Sequence, residues 1–263
     1  MFSRTGLLNR RHLLQGLALG AMSSLASEAF AEALAITPRI TEGPFYPDKM
    51  PLDTDNDLII VNNGVTPAVG EITLLSGRVL DPAGKPIRNA FVEIWQVDNN
   101  ACYLHSGSDN SSQRDSNFQG YGRFLTDAEG RYFFRTIKPV PYPGRPAPHI
   151  HFALSKNGRR ISTTQLFVKG HPGNERDGIF REIDAEAKKT VQADFKPVEN
   201  STLGELAANF EIVLGQTAIE LEDGPLKGGI GKPEGGGFGP GRGRPPRPPR
   251  DGQGPPRRPQ PES

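Results

Sequence analysis

Gly122-Arg-Phe-Leu-Thr126-Asp-Ala-Glu-Gly130-Arg-Tyr-Phe-Phe-Arg-Thr-Ile137 is the stretch that sets the architecture. Extended runs rich in aromatic and β-branched residues flank Asp127-Ala-Glu-Gly130. That pattern reads as a hairpin, with 122–126 as the outgoing strand and 131–137 as the return strand. Residues 72–80 upstream are apolar and partly alternating, and Asp81-Pro-Ala-Gly-Lys-Pro86 stops them with strong turn chemistry. Residues 90–97 form the next strand, with Val92 and Ile94 on one face and Glu93 and Trp95 on the other. Downstream, 149–154 and 162–168 read as strands separated by a turn at 155–160, and Gly170-His-Pro-Gly173 ends the second. Residues 207–214 read as a closing strand. Only 180–191, with Phe180, Ile183, Ala187 and Val191, shows helical spacing. The expectation is a mainly β fold, a sandwich of antiparallel strands with long loops and one short helix, with Trp95 packed inside it.

Charge and cysteine content narrow the function. The chain has 31 Lys and Arg against 30 Asp and Glu, so no global charge favours nucleic acid. Cys102 is the single cysteine, which excludes an intrachain disulfide and a thiolate cluster. Any metal must use His, carboxylate or phenolate.

The two ends read differently from the middle. Arg10 and Arg11 precede a mildly apolar run at 13–25 and the A-x-A site Ala29-Phe-Ala31. Residues 1–31 therefore read as a twin-arginine-type signal, sending the protein to the periplasm or beyond. The apolar run is too short to remain in a membrane. Residues 223–263 are dominated by Gly, Pro and Arg and read as a disordered tail. Its arginines suggest either plain solvation or a tether to anionic envelope polymers. The folded part is 36–216; its oligomeric state is open, and a homo-oligomer is compatible with it.

Candidate chemistry lies in Tyr142-Pro-Gly-Arg-Pro-Ala-Pro-His149-Ile-His151-Phe152. On a strand, His149 and His151 share one face while Ile150 and Phe152 point to the other. A His-x-His pair alone fits zinc, copper or non-haem iron. Tyr142, across a proline-rich turn, and Tyr103, in the long polar loop 99–117, are further candidates. Ferric iron is a hard cation and phenolate a hard anionic ligand. Two tyrosinates and a hydroxide would neutralise Fe(III), with two neutral imidazoles completing the set. His105 is a candidate pocket-lining residue, and Cys102 reads as packing.

Longer motifs surround these residues. The segment 117–142, ending in Lys138-Pro-Val-Pro-Tyr142 and followed by His149-Ile-His-Phe152, closely resembles the intradiol ring-cleavage dioxygenases. Thr41-Glu-Gly-Pro-Phe-Tyr46, Val92-Glu-Ile-Trp-Gln96 and Phe210-Glu-Ile-Val-Leu214 fit as well, and the resemblance covers about 38–216. It implies a non-haem Fe(III) held by Tyr103, Tyr142, His149 and His151, with Arg145 and Gln165 as active-site residues. It also implies cleavage of a catechol-type diol by O2 between the hydroxylated carbons, giving a cis,cis-muconate-type diacid. Tyr142 would leave the metal when the diol binds. The chain departs from the family pattern in two places: Arg145 stands one residue further from the His pair, and the turn from Tyr142 to His149 is shorter. A second resemblance, of 77–90 and 126–130 to transthyretin-like sandwiches, implies instead a non-catalytic binding module.

Overall fold

A computed structural model describes residues 34–62 and 64–215. The signal-like 1–31 and the tail 223–263 lie outside the described residues. None of the described helices is long and apolar enough to cross a membrane.

Two five-stranded sheets form the body. In the first, β1 (Ile72–Leu80) pairs antiparallel with β4 (Arg131–Ile137) on one side. On its other side it pairs parallel with β9 (Leu206–Asn209) and then β10 (Ile212–Val213), and β9 pairs with β8 (Lys196–Pro197). The second sheet runs β3 (Tyr121–Leu125), β2 (Phe91–Trp95), β5 (His149–Lys156), β6 (Arg159–Val168), β7 (Gln192–Ala193). Leu75, Val79, Phe134 and Ile137 of the first sheet meet Val92, Ile94, Ile150, Phe152 and Leu166 of the second in one apolar core. These are the alternating apolar positions of each strand, so burial fixes which side chains face away. Most pairings are antiparallel, as expected for a sandwich.

Several elements differ from the sequence reading. β3 and β4 flank the Asp127–Gly130 turn but belong to different sheets. The turn is a crossover rather than a hairpin: β3 pairs with β2, while Val79 N of β1 donates to Gly130 O. The expected single helix over 180–191 is two, α1 (Gly178–Glu182) and α2 (Ala185–Thr190). Ile183 is extended, and the Asp184 side chain accepts from Glu186 N and Ala187 N to start a new helix. The turn expected at 155–160 shrinks to Asn157-Gly158, both at positive φ, and β5 and β6 run on into it. The closing strand breaks at Phe210-Glu211, where the chain passes over Gly77. A side chain at Gly77 would collide with the Phe210 carbonyl, and the Tyr132 hydroxyl donates to that same carbonyl.

A third layer covers the outer face of the second sheet. Residues 34–50, the loop 98–117, the turn 139–148 and α1 lie over it, giving two smaller apolar clusters. One gathers Trp95, Tyr103 and Tyr121, and the other Ile40, Ala147, Phe167 and Phe180. Trp95 is thus fully buried, but in this outer layer rather than in the inter-sheet core.

Candidate metal centre

The site is a row of side chains across the outer face of the second sheet. Register places Tyr121, Trp95, His151 and Gln165 side by side on β3, β2, β5 and β6. His149 lies one step along β5, opposite Phe167. Trp95 stacks flat on the His151 ring, with centroids 4.9 Å apart and planes 9° apart. Both imidazoles are buried, as are Trp95 and Gln165.

Loops bring the phenols to this row. The buried Asp98 carboxylate accepts Asn100 N and Cys102 N, both at 2.9 Å, and Asp115 N at 2.6 Å, which curls the loop over the sheet. Ser108 Oγ accepts Tyr103 N, and Phe45 stacks on the Tyr103 ring at 4.8 Å. The Tyr103 hydroxyl lies 3.0 Å from His151 Nε2. Tyr142 and Arg145 bracket a turn with Pro143 second and Gly144 third. Gly144 has φ +86°, which suits glycine, and two backbone hydrogen bonds close the turn. The Tyr142 ring stands edge-on to Tyr103 at 5.2 Å and tilted over His149 at 5.6 Å. Tyr142 is half-buried, at the mouth, and lines with Tyr103, Phe45, Ala101 and Asp109 a cleft of about 40 Å³. A larger concavity of about 490 Å³, lined by Ser76, Arg78 and Phe133 on the first sheet, contains none of these residues.

All six residues expected at the site are brought together. Arg145 ends the turn that Tyr142 begins and reaches Gln165 of β6. Its Nη2 donates to Gln165 Oε1 at 2.8 Å and its Nε to Asp177 Oδ2 at 2.7 Å, while Gln165 Nε2 donates to Thr41 O at 2.9 Å. Between Arg145 and His149 the chain passes tight against Gly173, where a side chain would collide with the Pro146 carbonyl. His105 sits in the Tyr103 loop, edge-on to Phe45 at 5.8 Å, and Cys102 is buried.

Electrostatics prepare neutral ring donors. Burial first, then the Arg145 charge, depresses the His149 imidazole to about 3; burial, His149 and Arg145 drive His151 well below its usual range. Both are unprotonated lone-pair donors at neutral pH. Burial, then the neighbouring Tyr142 phenol, pushes Tyr103 well above its usual range, so its ionisation requires a local cation.

The polar atoms fit a metal. His149 Nδ1 donates to Ala147 O at 2.7 Å, which fixes the tautomer and leaves Nε2 as a bare lone pair. That Nε2 is buried and has no protein partner, which costs about 1–3 kcal/mol if nothing binds it. His151 Nδ1 is likewise unpartnered. The 3.0 Å between Tyr103 Oη and His151 Nε2 also suits two donors on one ion, since right-angled bonds of about 2.1 Å put donors about 3 Å apart. Among the described residues no group of three or more His, Cys, Asp or Glu is placed to hold a metal. The donor set is therefore completed only by the phenols, which suits ferric iron and not the usual zinc sets.

Sequence reasoning missed two residues here. Asp177 anchors Arg145, and the Asp177-Gly178 pair ahead of an apolar run was its capping signal. Glu93, expected only on the face away from Val92, is buried beneath Tyr46 and Tyr121 and accepts both hydroxyls, at 2.7 and 2.6 Å.

Residues 41–216 match a family model described as "Dioxygenase". The chain is 39% identical over 184 residues to the protocatechuate 3,4-dioxygenase beta chain of Burkholderia cepacia, covering 66% of this chain and 77% of that one. It is 32% identical over 187 residues to catechol 1,2-dioxygenase 2 of Acinetobacter lwoffii, covering 65% of each. Among solved structures it is similar to the dioxygenase domain of a dioxygenase–carbohydrate-binding fusion from Streptomyces sp. SirexAA-E. That match has TM-score 0.54 and 27% identity, and covers 70% of this chain and all of the other. The matched span includes 77–90 and 126–130, the segments that also resemble transthyretin-like modules.

Proposed function

Because this chain belongs to the intradiol ring-cleavage dioxygenases, we propose that it cleaves a catechol-type diol between its hydroxylated carbons. Both atoms of O2 enter the product, a cis,cis-muconate-type diacid. The observation that carries the reading is the bare, buried Nε2 of His149, surrounded by a second imidazole and two phenols. His149, His151, Tyr103 and Tyr142 are the residues that would hold a non-haem Fe(III). Ferric iron, when bound, supplies the Lewis acidity that keeps the diol deprotonated and makes its ring reactive toward O2.

The chain's own residues do the rest. Ala147 O and the Trp95 ring set the orientation of the two imidazoles. Tyr103 is packed between Phe45 and the His strand and stays in place. Tyr142 sits at the mouth on a short turn, so it is the phenol free to swing aside. Its Oη, which would be a phenolate while it serves as a ligand, would then take a proton from an incoming diol hydroxyl. Arg145 supplies positive charge to the electron-rich ring, and the buried Gln165 amide orients it. Phe45 and Pro143 wall the cleft against water.

Export by the twin-arginine route and contact of the basic tail with anionic polymers belong to the same proposal. They are supported by Arg10-Arg11 and by the tail's Arg242, Arg244, Arg247 and Arg250.

The test is the purified, iron-loaded protein. It should carry a visible tyrosinate-to-iron charge-transfer band and consume O2 with at least one catechol. Tyr142→Phe should shift or weaken the band and cut turnover by about 10²-fold or more. A colourless protein that takes up no O2 with any catechol refutes the reading.

A further inference from the structure

The two oxygens of Asp177 face different partners. Oδ1 accepts Ile179 N at 3.0 Å and Phe180 N at 3.1 Å, capping α1. Oδ2 accepts Arg145 Nε at 2.7 Å. The Asp177 side chain is fully buried and that of Arg145 is 13% exposed, so this is an interior ion pair. Capping alone explains the two Oδ1 contacts but not the one at Oδ2. A neutral Ser or Asn caps a helix as well as Asp does, without the cost of burying a charge.

The second oxygen matters because of what it does to the guanidinium. Arg145 is tied at Nε by Asp177 and at Nη2 by Gln165, and Gln165 is itself tied to Thr41 O. Two contacts fix the plane of a rigid fork of donors. Among the described residues Nη1 has no hydrogen-bond partner and is not among the buried unpartnered atoms. Asp177 in turn is immobilised by α1, whose Phe180 packs edge-on against Phe167 at 5.1 Å. Phe167 is the cross-strand partner of His149. The anchor of Arg145 and the ligand strand therefore share one packed unit.

We propose that Asp177 is a positioning residue, which aims Arg145 so that its unpartnered Nη1 is turned to the substrate's developing negative charge. This rests on the ring-cleavage reading above. Burial alone would raise the Asp177 carboxyl, but Arg145 and the backbone amide of Phe180 hold it below its usual range, so it stays charged at neutral pH.

The experiment is a double-mutant cycle on the iron-loaded protein. Wild type is first assayed for O2 uptake with catechol, 4-methylcatechol and protocatechuate. No uptake with any of them refutes the ring-cleavage reading itself, whatever Asp177 does. With uptake established, Asp177→Asn keeps the volume and the capping oxygen but removes the acceptor for Arg145. It is expected to lower kcat/KM by about a hundredfold, the cost of misplacing a reacting contact by about 1 Å. In an Arg145→Met background the same change should cost less than about twofold. The dissociation constant of 4-nitrocatechol, read from its own absorbance, should follow the same pattern. Asp177→Ser, which also caps, is run in parallel in case the Asn variant folds poorly. Equal losses in both backgrounds, or no loss in the single variants, overturn the proposal.

Discussion

Replacing Glu93 by alanine tests whether the covered outer face is held by a buried charge. Glu93 is 1% exposed at the centre of β2. Its Oε1 accepts the Tyr121 hydroxyl at 2.6 Å and the Tyr46 hydroxyl at 2.7 Å; its Oε2 lies 3.4 Å from Arg160 Nη2. Arg160, 6% exposed, keeps Glu42 at 2.6 Å and lies over the Tyr46 ring. Each hydrogen bond to a charged acceptor contributes about 1.5–3 kcal/mol. Removing one partner of a buried ion pair costs about 3–5 kcal/mol. Because Glu42 keeps part of the Arg160 compensation, the two phenols dominate, and a total of about 3–5 kcal/mol is expected. Urea unfolding of the metal-free protein measures it, with the slope unchanged. Glu93→Gln keeps an oxygen for both hydroxyls but sets an amide N–H against Arg160, so about half that loss is expected. Tyr46 stands edge-on to Trp95 at 5.0 Å, so the Ala variant should also loosen the plate beneath His151 and weaken metal affinity. A loss below about 1 kcal/mol for Ala, or a Gln loss as large, would refute the reasoning.

Two further perturbations probe other parts of the fold. Burial first, then Glu93, raises Tyr46 and Tyr121, and burial raises Tyr132. An unfolded phenol loses its proton near pH 10 whereas these do not, so stability present below that pH should fall as pH rises above it. Unfolding midpoints and phenolate absorbance across the alkaline range check this; three phenols titrating normally in the folded protein would contradict it. Gly173→Ala should cost about 1–3 kcal/mol, because the added carbon meets the Pro146 carbonyl, and it should lower turnover by shifting the Arg145 turn. A variant with wild-type stability and turnover would mean that the turn yields freely.

What could be read from the chain was whatever depends on local alternation. The His149-Ile-His-Phe152 and Val92-Glu-Ile-Trp95 patterns carry their own face assignment, and the structure keeps it. Glu93 was not legible as buried, because nothing within β2 says that residues 34–50 will lie over it. The helix over 180–191 failed for a local reason: the apolar period runs through Ile183, but Asp184 offers a cap that starts a second helix. The crossover after β3 was missed because Asp127–Gly130 has hairpin chemistry, while the partner of each strand is chosen by distant β1 and β2. Arg145 was placed by Asp177 and Gln165, which lie 32 and 20 residues away. No spacing count from His149 contains that information.

The alternation along β5 has a consequence for how the chain avoids error. If β5 slid by one residue against its neighbours, two imidazoles would enter the inter-sheet core and Ile150 and Phe152 would enter the polar row. Apolar burial and metal capture thus reject the same misaligned states. An ion at the proposed site would act as a proofreading signal: it would be held only by molecules whose second sheet has closed in the correct alignment and whose two phenol-bearing loops have docked onto it.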